Sequence, residues 1–162
     1  MNRDHNRPST SAKAPADSPR REPVHEPLLD AMHLLEAALA SPAPGREEEW
    51  RKRVAAELAT LRNVLATHVA STESRKGMFV DVESTEPALH HRIERLRHEH
   101  ADLLRQAESL ETHLAPPAAG HPFNFHDVRQ RAGWLLTALR HHQALEADLV
   151  FELYDSDVGV GD

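Results

Sequence analysis

The chain has 162 residues, 40% of them apolar, 28% charged and 4% aromatic, and its 26 acidic and 19 basic side chains leave a formal net charge of −7. It carries 13 histidines and no cysteine. That length suits one domain, and the missing thiols exclude a disulfide scaffold, a cysteine nucleophile, a cysteine zinc finger and an iron–sulfur cluster. A nucleic-acid partner is not expected, because phosphate contacts need a basic face. No apolar run approaches the ~20 residues of a membrane span, and the opening residues lack the apolar stretch of a secretory signal. The expectation is a cytoplasmic protein.

Residues 1–24 are rich in Pro, Ser, Ala and charge and read as a disordered tail, too poor in apolar groups to offset the entropy of ordering. Four helical blocks are then predicted. The first covers 25–40, HEPLLDAMHLLEAALA, with Pro27 in its first turn, where a missing N–H does no harm; SPAPG at 41–45 stops it. The second covers 46–74. Glu47, Glu48 and Glu49 open it where the helix dipole favours anions, and RKG at 75–77 ends it. MFVDV at 78–82 is expected as a loop, with Met78 and Phe79 plugging that end. The third block covers 87–114, with Ser84 and Thr85 as candidate N-caps. The fourth covers 125–154 behind Asn124 as a candidate cap. Trp50 and Trp134 are expected as packing anchors. With no sustained period-2 alternation and short connections, the fold class is all-α, an up-down-up-down four-helix bundle over 25–162.

Helical spacing sorts the histidines. Leu28, Met32, Leu35 and Leu39 form the first apolar seam, and one step back lies His25. Val54, Leu58, Leu61 and Leu65 lead to His68. Leu89, Ile93 and Leu96 lead to His100, and Val128, Ala132, Leu135 and Leu139 lead to His142, then Glu146. Each helix thus places one histidine on its core-facing stripe. The others fall in the tail, at helix ends or, like His90, His91, His98 and His141, on outer faces. At ~1.5 Å rise per residue, His25, His100 and His142 stand roughly 21–22 Å from one end of the bundle, while His68, measured from Glu47, stands about two turns higher. A single buried imidazole is ordinary core chemistry. Four converging ones, with Glu146 a turn from His142 and Glu73 at the seam's edge, point to nitrogen and oxygen ligation of a metal such as iron or zinc. Glu99 is rotated off its seam and reads as a solvated or edge residue.

These strings, HEPLLDAM, LRNVLATHVASTE, IERLRHEHADLL and LRHHQALEADLVFELYDSDVG, resemble the hemerythrin-like (HHE cation-binding) family over 25–162. The resemblance implies a helical bundle holding non-haem iron, one or two ions. The metal ligands would be His25, His68, His100, His142 and Glu146, with Glu73 as the second helix's carboxylate. The partner would be a small diatomic gas, dioxygen or nitric oxide, bound or sensed, or the role would be iron handling. Two departures stand out. The family places an acid four residues after the second helix's histidine; here that place is Thr72, and Glu73 follows. The family also often has a second histidine one turn from the first in the third helix; here Leu96 and Leu104 flank His100. They motivate an alternative, a metal-free structural or interaction bundle. The sequence has no nucleophile paired with a base, no phosphate loop and no dinucleotide fingerprint, so no enzyme is expected.

Overall fold

The computed structural model describes residues 26–117 and 122–158, with side chains up to Leu153. The tail at 1–24, His25 and the chain end after 158 lie outside the described residues. The described residues form five α-helices and no strand: α1 Glu26–Ala40, α2 Glu47–Thr72, α3 Met78–Thr85, α4 His90–His113 and α5 Phe125–Val158, with a 3-10 turn at Pro87–Leu89. α1 packs on α2, α2 on α4 and α4 on α5. From α5, Arg129 donates to the Leu39 and Ser41 carbonyls at the C-terminal end of α1, and Arg140 pairs with Glu36.

Local chemistry sets the helix ends. Gly45 adopts φ 73° between α1 and α2, a left-handed conformation that glycine takes at little steric cost. Asn124 caps α5, its Oδ1 accepting the Asp127 N–H at 3.0 Å. Gly77 joins α2 to α3 so closely that a Cβ there would lie 2.2 Å from the Thr72 carbonyl oxygen. The chain therefore turns back at once, and MFVDV, expected as a loop, forms α3 with Phe79 and Val82 buried. Its short apolar run carries two inward positions three residues apart, enough for one buried helical face. Ser84 and Thr85 are not N-caps of the next helix. They end α3, donating to the Val80 and Asp81 carbonyls. Trp50 is buried, but Trp134 is 61% exposed and anchors nothing in the core; its position on α5 lies just beside Leu135, which the seam takes instead.

The apolar interior is divided. A larger cluster from α1, α2, α4 and α5 includes Met32, Leu35, Leu58, Leu61, Leu65, Leu103, Leu135 and Leu139. A smaller one joins Phe79 and Val82 of α3 to Ile93, Leu96 and Leu149. Between them along α4 lies His100, after Leu96 and before Leu103. Along α5 lie His142 and Glu146, after Leu139 and before Leu149. A polar layer thus interrupts the core.

Candidate metal centre

Helix register brings the layer together. Trp50 packs edge-on against Phe125, ring centroids 5.2 Å apart, so α2 and α5 share a level there. Eighteen residues separate Trp50 from His68 and seventeen separate Phe125 from His142, so the two histidines reach nearly the same height. Arg51 Nη1 likewise donates to the Leu114 carbonyl at 2.7 Å, tying α2 to the end of α4. His68 therefore does not stand two turns above the others. Its ring centroid is 5.4 Å from that of His100 and 6.3 Å from that of His142, while His100 and His142 lie 4.5 Å apart. The three residues of α2 before Trp50, Glu47–Glu49, account for about 4.5 Å of the expected offset.

His68, His100, His142 and Glu146 are all buried, between 0% and 4% exposed. One ligand atom from each lies within 4.8 Å of all the others. Three imidazole Nε2 atoms face the same carboxylate oxygen: Glu146 Oε1 is 3.1 Å from His68 and 3.5 Å from His100 and from His142. Four ligands ~2.1 Å from a central ion would stand about 3.4 Å apart along a tetrahedron's edges, so these separations suit one ion.

The outer nitrogens explain the orientation. His100 Nδ1–H donates to Glu73 Oε1 at 2.6 Å, and His142 Nδ1–H donates to Glu99 Oε2 at 3.1 Å. A carboxylate can only accept, so the proton is assigned to Nδ1 in both rings. In the neutral rings each Nε2 then turns a lone pair inward, and both Nε2 atoms are buried without a hydrogen bond. Imidazoles held from behind by carboxylates in this way are typical of metal sites. Phe79 stacks on His100 at 5.5 Å and 15°, walling the layer off from the α3 side. The donor set thus fits a cation: one buried anion, inward lone pairs and no thiolate.

Electrostatics agree. Burial alone would raise the Glu146 pKa, but the His100, His142 and His68 rings around it hold it far below the usual carboxylate range. Burial alone would lower the His142 pKa, yet the carboxylates of Glu146 and then Glu99 leave it raised. A negative centre that recruits positive charge is common to both shifts.

Of the six residues expected as ligands, four are brought together. Glu73 sits behind His100 instead of in the central group, because it is the C-cap residue of α2 and emerges at the rim, its side chain 31% exposed. His25 lies outside the described residues. Glu99, expected to be a solvated edge residue, holds His142. Its rotation off the α4 seam aims it at α5, and the periodicity of one helix carries no record of its neighbour. A second group, Glu83, His90 and Glu94, meets where α3 joins α4. Arg97 pairs with both of its carboxylates, so a positive charge already occupies it.

The fold and the site define an all-helical protein with a buried histidine–glutamate cluster that can hold a metal. No family model matches the chain, and no curated protein or solved structure matches it. Among the described residues, no helix is long and apolar enough to cross a membrane.

Proposed function

We propose that this chain is a hemerythrin-like four-helix bundle that binds non-haem iron, in the service of binding or sensing dioxygen or nitric oxide or of handling iron. The observation that carries the reading is the convergence of three buried Nε2 atoms on Glu146 Oε1. His68, His100, His142 and Glu146 are the ligands; Glu73 and Glu99 fix the tautomers and rotations of His100 and His142. With these two glutamates behind the rings, the described residues offer ligands for one ion. Iron held there supplies a coordination centre for a small diatomic molecule, and the leucines and Phe79 on either side limit water. Loading with Fe(II) without oxygen, then admitting air, should give about one tightly held iron per chain and a visible spectrum that changes on exposure. Loss of that iron in the His68→Ala, His142→Ala double variant is expected; unchanged retention would sink the proposal.

A second reading, a metal-free structural or interaction bundle, draws on one feature. Thr72, buried at 4% exposure, stands where the family's acid would be, and protons could balance the buried carboxylate instead. On that reading a chelator leaves the melting temperature of the purified protein unchanged. A clear drop counts against it, since a ligand bound only to the folded state stabilises that state.

A further inference from the structure

A ligand set this deeply buried needs a way in. The α3 side is closed: Phe79 is fully buried and stacked on His100, with Arg97 over its outer face at 5.8 Å. Below the layer, the larger cluster offers a cation only apolar side chains and no charged group. Between α4 and α5, however, a cleft of about 140 Å³ is lined by Glu99, Asp102, Leu103, Gln106, Ala138 and His141. Glu99 belongs both to this cleft and to the centre, because its Oε2 accepts from His142 Nδ1 while its Oε1 accepts from Arg95 on the surface. One side chain therefore separates the cleft from a ligand.

We propose that this cleft is the port through which a divalent cation reaches and leaves the cluster, an inference that rests on the metal-binding reading above. Asp102 and His141 give the cation its first oxygen and nitrogen contacts. Asp102 is paired with Arg105 across an exposed edge, and such pairs hold too weakly to keep a cation away. Glu99 is the gate: it releases His142, takes the ion on its carboxylate and delivers it to the imidazole nitrogens. The small Ala138 lines the cleft on the α5 side. The cleft is a passage and not a resting site, because no second buried group gathers there.

The port makes a kinetic claim distinct from affinity. A barrier on the path changes entry and exit by the same factor and leaves the equilibrium alone. Co(II) serves as the probe, its visible absorption reporting capture by the histidines in stopped flow, and a chromogenic chelator reporting loss. Ala138→Leu, which fills the cleft, should slow both capture and loss by about tenfold with the dissociation constant unchanged, and Asp102→Asn should slow capture by a few-fold and flatten its dependence on salt, since acidic mouths steer cations by factors of about ten or more. Ala101→Leu, on an exposed part of α4 outside the cleft, controls for general stiffening and should behave as wild type. Circular dichroism and melting confirm that each variant folds; Asp102, being exposed, keeps the test alive if Ala138→Leu does not. Wild-type rates in both cleft variants would overturn the port while leaving the metal site intact. For Ala138→Leu, a changed affinity with unchanged loss would overturn it too. Failure of the wild-type protein to capture Co(II) would overturn the metal-binding reading and the port with it.

Discussion

The two parts of the interior obey different rules. The larger cluster is built from apolar side chains, with Leu35, Leu58, Leu61, Leu65 and Leu139 fully buried. Such packing is complete in itself, since dispersion and water exclusion need no outside component. The polar layer beside it places three imidazoles around a buried carboxylate, an arrangement that costs free energy unless charge is balanced and lone pairs are met. One region stabilises the fold; the other gathers four buried groups that can hold a metal. A core built only for stability would replace that layer with more leucine, as buried ion pairs often gain nothing over apolar packing.

The sharpest way to break the contrast is to damage each region separately. Leu61→Ala, in the hydrocarbon cluster, should cost about 2–5 kcal/mol of unfolding free energy, equally with and without added metal. Chemical denaturation measures it; a metal-dependent cost would mean the two regions are not separate. His142→Ala should behave oppositely. At metal concentrations about a hundred times the dissociation constant, the wild-type protein should gain about 2.7 kcal/mol and the variant close to nothing. A full gain in the variant would remove His142 from the ligand set.

Glu73→Gln tests the groups behind the rings. An amide accepts the Nδ1–H less strongly and carries a donor of its own, so metal affinity should fall about 10–100-fold while the unloaded protein melts nearly as before. Titration against a competing chelator measures this, and an unchanged affinity would reduce Glu73 to a surface contact.

Smaller effects come from pH. Without metal, the raised His142 pKa gives stability that is fully present below the ordinary value of 6.5 and is lost as pH rises through the elevated one. The lowered Glu146 pKa gives stability present above the ordinary 4.5 and lost only as pH falls through its depressed value. The metal-free protein should therefore be steadier at pH 6 than at pH 8. Metal binding needs deprotonated imidazoles, so its stabilisation should grow over the same interval. Parallel denaturation curves at both pH values, with and without metal, check the crossing; matching slopes would contradict proton–metal competition.

Much of this was legible in the sequence because helical spacing is a local property. The seams lead to His68, His100, His142 and Glu146, all of which are buried, and Asn124 caps α5 as its residue type suggests. What spacing could not supply was relation between helices. The height of His68 depends on Trp50 meeting Phe125, a contact between residues 75 positions apart in the chain. The role of Glu99 depends on which helix stands beside α4. The α3 helix was hidden because its length is short and its stability comes from Phe79 packing over His100, a tertiary effect that overrides weak local preference.

The central claim, that the polar layer holds a metal, is tested most directly by iron K-edge X-ray absorption on protein loaded anaerobically with one equivalent of Fe(II). The expected spectrum shows nitrogen and oxygen neighbours at about 2.0–2.2 Å with the outer-shell scattering of three imidazoles, and loses that imidazole signal in the His68→Ala, His142→Ala double variant. A wild-type spectrum with oxygen neighbours alone, or with one imidazole, would place the iron elsewhere and contradict it.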